Sequence, residues 1–239
     1  IPLMHNTWLA KKDKRKVALR LAPNAKTKRI DAVIVGQNGE PIDFDPGAGT
    51  VVRAKVRCPL CSGTIDDKTT RRLFREGQAG QRMMAVVLHH PHRTGKAYRL
   101  PNERDMEAYR AAEKALEKKR QQLRDAWGIE PVPDEPLPIG GRDRYDTCRL
   151  PLYGLKQWGE LFNARQKLAL LTFADAVRRA HAEMLRSSSE PDFAKAVTTY
   201  LGLAFDKIAE ICTATSAWEP VAQCTRQMFR RQAIPMVWD

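Results

Sequence analysis

The chain has 239 residues, enough for one large domain or two small ones with an ample core in either case. Hydrophobic residues at 43% and charged residues at 29% describe an ordinary soluble composition, and no apolar run approaches the ~20 residues of a membrane-spanning helix. Five mostly isolated cysteines argue against a secreted disulfide framework, and the net charge of +13 favours a polyanionic partner, nucleic acid before membrane.

Ile1-Pro2-Leu3-Met4-His5 has neither the basic start nor the apolar core of a signal peptide, so the cytoplasm is the expected compartment. The chain begins without an initiator Met and stops just after an apolar run at Trp238-Asp239. Both ends read as cut from something longer.

Residues 1–101 read as a small, basic, β-rich lobe. Val17–Leu21, Ala32–Val35 and Val51–Val56 are strand candidates, separated by turn chemistry at Pro23-Asn24, Gln37-Asn38-Gly39 and Asp45-Pro46-Gly47. Over 52–57, Val52, Ala54 and Val56 alternate with Arg53, Lys55 and Arg57, which predicts one packed face and one basic face. Thr69–Glu76 is a short helix ended by Gly77, and Met83–Leu88 and Ala97–Leu100 are closing strands. The run Lys11-Lys12-Asp13-Lys14-Arg15-Lys16, the face Arg53, Lys55, Arg57 and the helix residues Arg71, Arg72 and Arg75 are candidate DNA contacts on one surface. For the lysine run, a solvated hairpin tip is the competing reading.

Cys58-Pro59-Leu60-Cys61-Ser62-Gly63 has the form of half a zinc ribbon: a tight turn aims both sulfurs at one point, and Gly63 admits backbone N–H groups close to them. No βαβ pattern surrounds the pair, so a thioredoxin-like redox role lacks its context. A tetrahedral site needs two more ligands. His89, His90 and His92 are candidates within the chain, and a second cysteine pair before Ile1 is the alternative. Cys148, Cys212 and Cys224 read as isolated core thiols, two of them on helices.

Residues 102–127 form one long connecting helix, capped by Asn102 and stopped by Gly128, with a narrow apolar stripe through Met106, Tyr109, Ala112, Leu116, Leu123 and Trp127. Residues 128–150, with prolines at 131, 133, 136 and 138, read as an extended linker and the domain boundary. Residues 151–239 read as a helical lobe. Trp158 to Arg186 is one helix, Ser187–Pro191 breaks it, and a second helix carries Phe193, Val197, Tyr200, Ala204, Ile208 and Ile211 at helical spacing to about residue 215. A last helix or turn leads through Met228-Phe229 to a strand-like Ala233–Trp238. Trp158, Phe162 and Phe173 are expected in the core. The expected class is α+β.

No catalytic constellation stands out. Asp45-Pro46-Gly47-Ala48-Gly49-Thr50 is the nearest approach to a nucleotide loop, but no helix opens after it, and Ser187-Ser188-Ser189 lacks the setting of a nucleophile elbow.

Four stretches taken together carry a resemblance: Ile1–Lys12 followed by Val17–Arg20, the Cys58–Cys61 knuckle, Tyr153–Gln166, and Arg231–Asp239. In this order they resemble the interior of the large adenine-specific DNA methyltransferases that contain a zinc ribbon, found in bacterial and archaeal genomes and often near phage-defence and restriction-modification genes. The resemblance spans almost the whole chain. It implies a methyltransferase core that binds S-adenosylmethionine through an Asp-Pro-Phe-x-Gly loop lying before this region. It further implies a cysteine pair just ahead of the equivalent of Ile1, and an Asp-Pro-Pro-Tyr motif after the equivalent of Asp239. This chain contains none of these, so no catalytic residue carries over. The implied role is an accessory DNA-binding and structural segment, with zinc as cofactor, with DNA and the rest of the methyltransferase as partners, and with the 151–239 helical lobe expected to pack on the methyltransferase core. A self-contained zinc-stabilised nucleic-acid module and a protein-interaction scaffold are the alternatives.

Overall fold

The computed structural model describes residues 1–92, 94–138, 148–187 and 190–227. They form an α+β fold of small antiparallel sheets and four α-helices. The first sheet is a meander of β1 (Trp8–Lys12), β2 (Arg15–Asn24) and β3 (Arg29–Val35). Strand β1, which the sequence did not announce as a strand, pairs Lys12 with Arg15 across a tight turn and carries a register shift between Trp8 and Ala10. Val17, Ala18 and Leu19 are all fully buried, so the middle of β2 is covered on both faces. Met4, Leu9, Ala10, Val17, Leu19 and Tyr98 form the core there.

The predicted strand over 51–56 is instead a hairpin of β4 (Val51–Val52) and β5 (Lys55–Arg57), completed by β6 (Thr64–Ile65). Arg53 and Ala54 turn the chain at φ of 48° and 62°, a left-handed pair that reverses it in two residues. The reversal cancels the expected alternation: Val51 and Val56 are buried, but Val52 is 62% exposed. Residues 2–5 run beside this hairpin, with the Val51 amide donating to the Met4 carbonyl (3.0 Å) and the Gly49 amide to that of His5 (3.1 Å).

Helix α1 (Asp67–Arg75) starts where Asp66 accepts from the Thr69 amide at 2.8 Å. β7 (Val86–His89) and β8 (Lys96–Arg99) make a two-stranded hairpin, shorter at its start than the predicted Met83–Leu88. Helix α2 (Glu103–Trp127) has the predicted ends: Asn102 and Asp105 exchange capping bonds, and Gly128 closes it at φ 70°. Its lower half packs on α3 (Ala164–Arg186) through Leu116, Leu123 and Leu171, with Lys119 paired to Asp175 at 2.8 Å. Met106, near the other end, stays exposed. α3 in turn packs on α4 (Pro191–Ile211).

Three readings of the C-terminal half are corrected. Residues 132–138 are no free linker: the Gly159 amide donates to the Pro133 carbonyl (2.8 Å) and the Leu137 amide to that of Lys156 (2.7 Å), and Leu137 is buried with Leu150 and Leu161. The helix predicted from Trp158 is two elements, a 3-10 helix over Trp158–Leu161 and then α3, restarted by an Asn163–Gln166 capping box. The apolar residues at helical spacing on α4 face outward, with Phe193 58% and Tyr200 75% exposed, while Ala194 on another face is fully buried, and the predicted helix stands. Phe173 is likewise exposed, although Trp158 and Phe162 do pack against the Leu137 cluster. The predicted 139–147 part of the linker and the Met228–Asp239 segment lie outside the described residues.

The chain then returns to its beginning. β9 (Trp218–Glu219) and β10 (Cys224–Thr225) form a hairpin against the first sheet: Trp218 donates its indole N–H to the Leu9 carbonyl (2.9 Å), and the Lys11 amide donates to Pro220 (2.9 Å). The fully buried Tyr98 donates its hydroxyl to Gln223 Oε1 at 2.8 Å. Burial pushes that phenol up to about 12, with the nearby Arg15 charge pulling the other way.

One ion-pair cluster gives a pH-dependent prediction. Burial alone would raise the Glu130 pKa, but hydrogen bonds from Arg120 (2.6 Å) and Arg124 (2.5 Å) outweigh it and hold the carboxyl at about 2. A depressed carboxyl stabilises above its unfolded value of 4.5, and the contribution is lost as pH falls through the folded value. Glu130→Gln should therefore melt about 2–4 °C below the native chain at neutral pH, for a loss of about 1 kcal/mol. The gap should close as both are titrated from about pH 5 towards pH 2. A gap independent of pH would show that the charge is not its source.

Candidate metal centre and nucleic-acid interface

The Cys58–Cys61 turn lies between the paired ends of β5 and β6, where Arg57 faces Thr64. The Cys58 amide donates to Gly63 (2.8 Å) and the Ser62 amide returns to Cys58 (2.9 Å), which closes the loop. Ser62 takes a left-handed φ of 59° to do so. The amides of Cys61 and then Leu60 point at the Cys58 sulfur and lower its pKa against the opposing effect of burial; the Cys61 side chain adds to the lowering. Amide donors stabilise a thiolate, which is the form that binds a metal. A Cβ on Gly63 would stand 3.3 Å from the Cys61 sulfur, so glycine keeps that side of the thiol open.

These residues fit half of a tetrahedral thiolate site. Among the described residues, no third His, Cys, Asp or Glu joins the pair in a cluster suited to a metal. His89, His90 and His92 sit exposed at the loop end of the β7–β8 hairpin, where His89 faces Lys96. Of the other thiols, Cys148 is buried beside Leu150, while Cys212 caps the end of α4, where burial raises its pKa. Cys224 lies exposed on β10 and is not the core thiol its sequence suggests, and none of the three lies within a helix.

The candidate DNA contacts fall on separate elements. Lys11, Lys12, Lys14, Arg15 and Lys16 flank the β1–β2 turn of the first sheet. Arg53, Lys55 and Arg57 belong to the knuckle sheet, all three exposed, with Arg53 at its hairpin tip. On α1, Arg71 is held by Asp67 (3.1 Å) and lies over the Tyr153 ring (5.9 Å), and Arg72 is held by Glu76 (2.9 Å). Arg75 is exposed at the end of the helix. The ion pairs among the described residues include none of Lys12, Lys14, Lys16, Arg53, Lys55, Arg57 or Arg75.

Two concavities adjoin these groups. An apolar groove of about 1060 Å³ opens between Ile1–Met4, the knuckle sheet and α1, lined by Leu3, Val56, Ile65, Leu73 and Phe74. A second, of about 790 Å³, lies beside the lysine hairpin and brings Trp8 and Phe44 to Lys14 and Lys16. Sequence reasoning missed these aromatics, because Phe44 reaches the hairpin only through the return of the 36–46 loop. Comparison of the chain with protein-family models, with curated proteins and with solved structures finds no match.

Proposed function

We propose that this chain is a zinc-stapled, DNA-binding accessory segment of an S-adenosylmethionine-dependent, adenine-specific DNA methyltransferase, and that by itself it transfers no methyl group. The observation that carries the reading is the knuckle turn, with its amide-stabilised Cys58 thiol set beside the unpaired cations Arg53, Lys55 and Arg57. The four sequence stretches supply the parent enzyme. Zinc bound by Cys58 and Cys61 acts as a structural staple that fixes these cations on a rigid turn. The second thiolate pair comes from a segment ahead of Ile1. Ile1 lines the same groove as Val56 and Ile65 of the knuckle sheet, which supports this, since a segment entering there arrives near the knuckle. The outward stripe of Phe193, Tyr200, Ile208 and Ile211 supports docking of the helices on the rest of the enzyme.

A methyltransferase must extract its target adenine from the duplex, so its core needs additional grip on the backbone. Lysine and arginine contacts to phosphate supply that grip and make affinity fall with salt by about 0.9 log units per neutralised phosphate for each tenfold rise. The chain is expected to bind duplex DNA with such a slope, and the Arg53→Ala/Lys55→Ala/Arg57→Ala variant to flatten it by up to about 2.7, at ~0.9 per lost contact. Fluorescence anisotropy across a salt series measures both. No binding at low salt, or binding indifferent to salt, would favour the protein-interaction scaffold. Methylation of DNA by this chain alone would sink the accessory reading.

A further inference from the structure

We propose that the cleft between the β1–β2 hairpin and the 36–46 loop is a seat for an unstacked nucleotide of single-stranded nucleic acid, its base on Trp8 and Phe44 and its phosphates on Lys14 and Lys16. The proposal rests on the nucleic-acid reading above and adds what part of the ligand this surface takes. At about 790 Å³ the cleft has the volume of a ligand pocket.

Three features point to this occupant. The register shift between Trp8 and Ala10 separates Trp8 from the buried run that follows it: Leu9 and Ala10 go into the core, while Trp8 stays half-exposed on the cleft wall. Such irregularities re-aim a side chain. Phe44, which also lines the cleft, is half-exposed as well, and each ring carries a cation, Lys11 at 5.6 Å from the Trp8 ring centre and Arg20 at 5.2 Å from that of Phe44. The carboxylates around the cleft are mostly spent on the protein itself. Asp43 pairs with Arg20, Glu40 accepts from the Gly36 (3.1 Å) and Asn38 (3.0 Å) amides, and Asp45 accepts from the Gly47 amide (2.8 Å). Asp13 in the turn is the exception. Lys14 and Lys16, by contrast, are exposed and enter no ion pair among the described residues. Aromatic faces beside unpaired lysines bind single strands by stacking and phosphate contact, whatever the base. A base still stacked within a duplex presents only its edges and cannot reach ring faces inside a cleft.

The test is anisotropy with a labelled oligothymidylate and a labelled duplex, on the full chain. Phe44→Ala and Trp8→Ala should each weaken single-strand binding about tenfold or more while leaving the salt slope unchanged. Lys14→Ala/Lys16→Ala should flatten that slope by about 1.4, at ~0.7 per phosphate contact. Duplex affinity should not respond to Phe44→Ala. Circular dichroism checks folding, and if Trp8→Ala disturbs the sheet, Phe44→Ala on its loop decides alone. Unchanged single-strand affinity in Phe44→Ala overturns the nucleotide seat, and if the native chain still binds duplex the accessory reading survives. If the native chain binds neither probe at low salt, both fall.

Discussion

Alanine at Gly49 is expected to lower the melting temperature by about 6–12 °C, from a loss of about 3 kcal/mol. The added Cβ would lie 1.9 Å from the Met4 carbonyl oxygen and 2.5 Å from the His5 carbonyl carbon. Neither is the movable end of a side chain, so the 2–5 segment would have to part from Thr50–Val51. Met4 is 3% exposed in the main core, and the displacement therefore reaches beyond the loop. Gly80 is the control, since nothing lies within 4 Å of its added Cβ and its φ is ordinary. Gly80→Ala should melt with the native chain. Equal melting of Gly49→Ala and Gly80→Ala would show that the 2–5 segment is not held against the knuckle sheet. The close approach also accounts for Gly49 in the stretch nearest to a nucleotide loop: it admits the backbone of Met4 and His5, while the Gly47 amide donates to the Asp45 carboxylate.

On the proposed reading, replacement of Cys58 by serine abolishes stoichiometric zinc binding in a longer chain that supplies the second thiolate pair. Cys61→Ser should do the same. Structural zinc contributes on the order of 10–16 kcal/mol of apparent binding free energy, so losing either thiolate or adding a chelator should also lower the melting temperature sharply. His89→Ala and His92→Ala should retain the metal, since both side chains stand exposed on a different hairpin. Metal analysis of the purified variants reads the outcome directly. Full zinc content in Cys58→Ser would remove the knuckle from the metal site, and loss of zinc in His89→Ala or His92→Ala would restore the self-contained module.

The Cys58–Gly63 turn was legible from spacing alone. Cys58, Cys61 and Gly63 lie within six consecutive residues, and the turn that joins them is closed by its own amides. The ends of α2 were legible for the same reason: Asn102, Asp105 and Gly128 act on backbone groups no more than four residues away. Val51–Val56 was not. Its alternation fits a strand equally well on either side of a reversal, and the left-handed turn at Arg53-Ala54 uses residues with no preference for it. Nor could the Trp8–Phe44 cleft be read, because the two rings are brought together by a loop return that no local pattern encodes.

The sequence by itself determined the basic charge, the tight Cys58–Gly63 turn, the limits of α2 and the mixed α+β class, all of which depend on composition or on contacts a few residues apart. Only the tertiary structure decided which faces are covered. Phe193 and Tyr200 repeat at core spacing yet face outward, because α4 has apolar residues on more than one side and only one side meets α3. The closing of the Trp218–Thr225 hairpin onto Leu9 and Lys11 was likewise decided there. Its indole and amide bonds join residues some 200 positions apart, and their geometry exists only once the chain between them has folded.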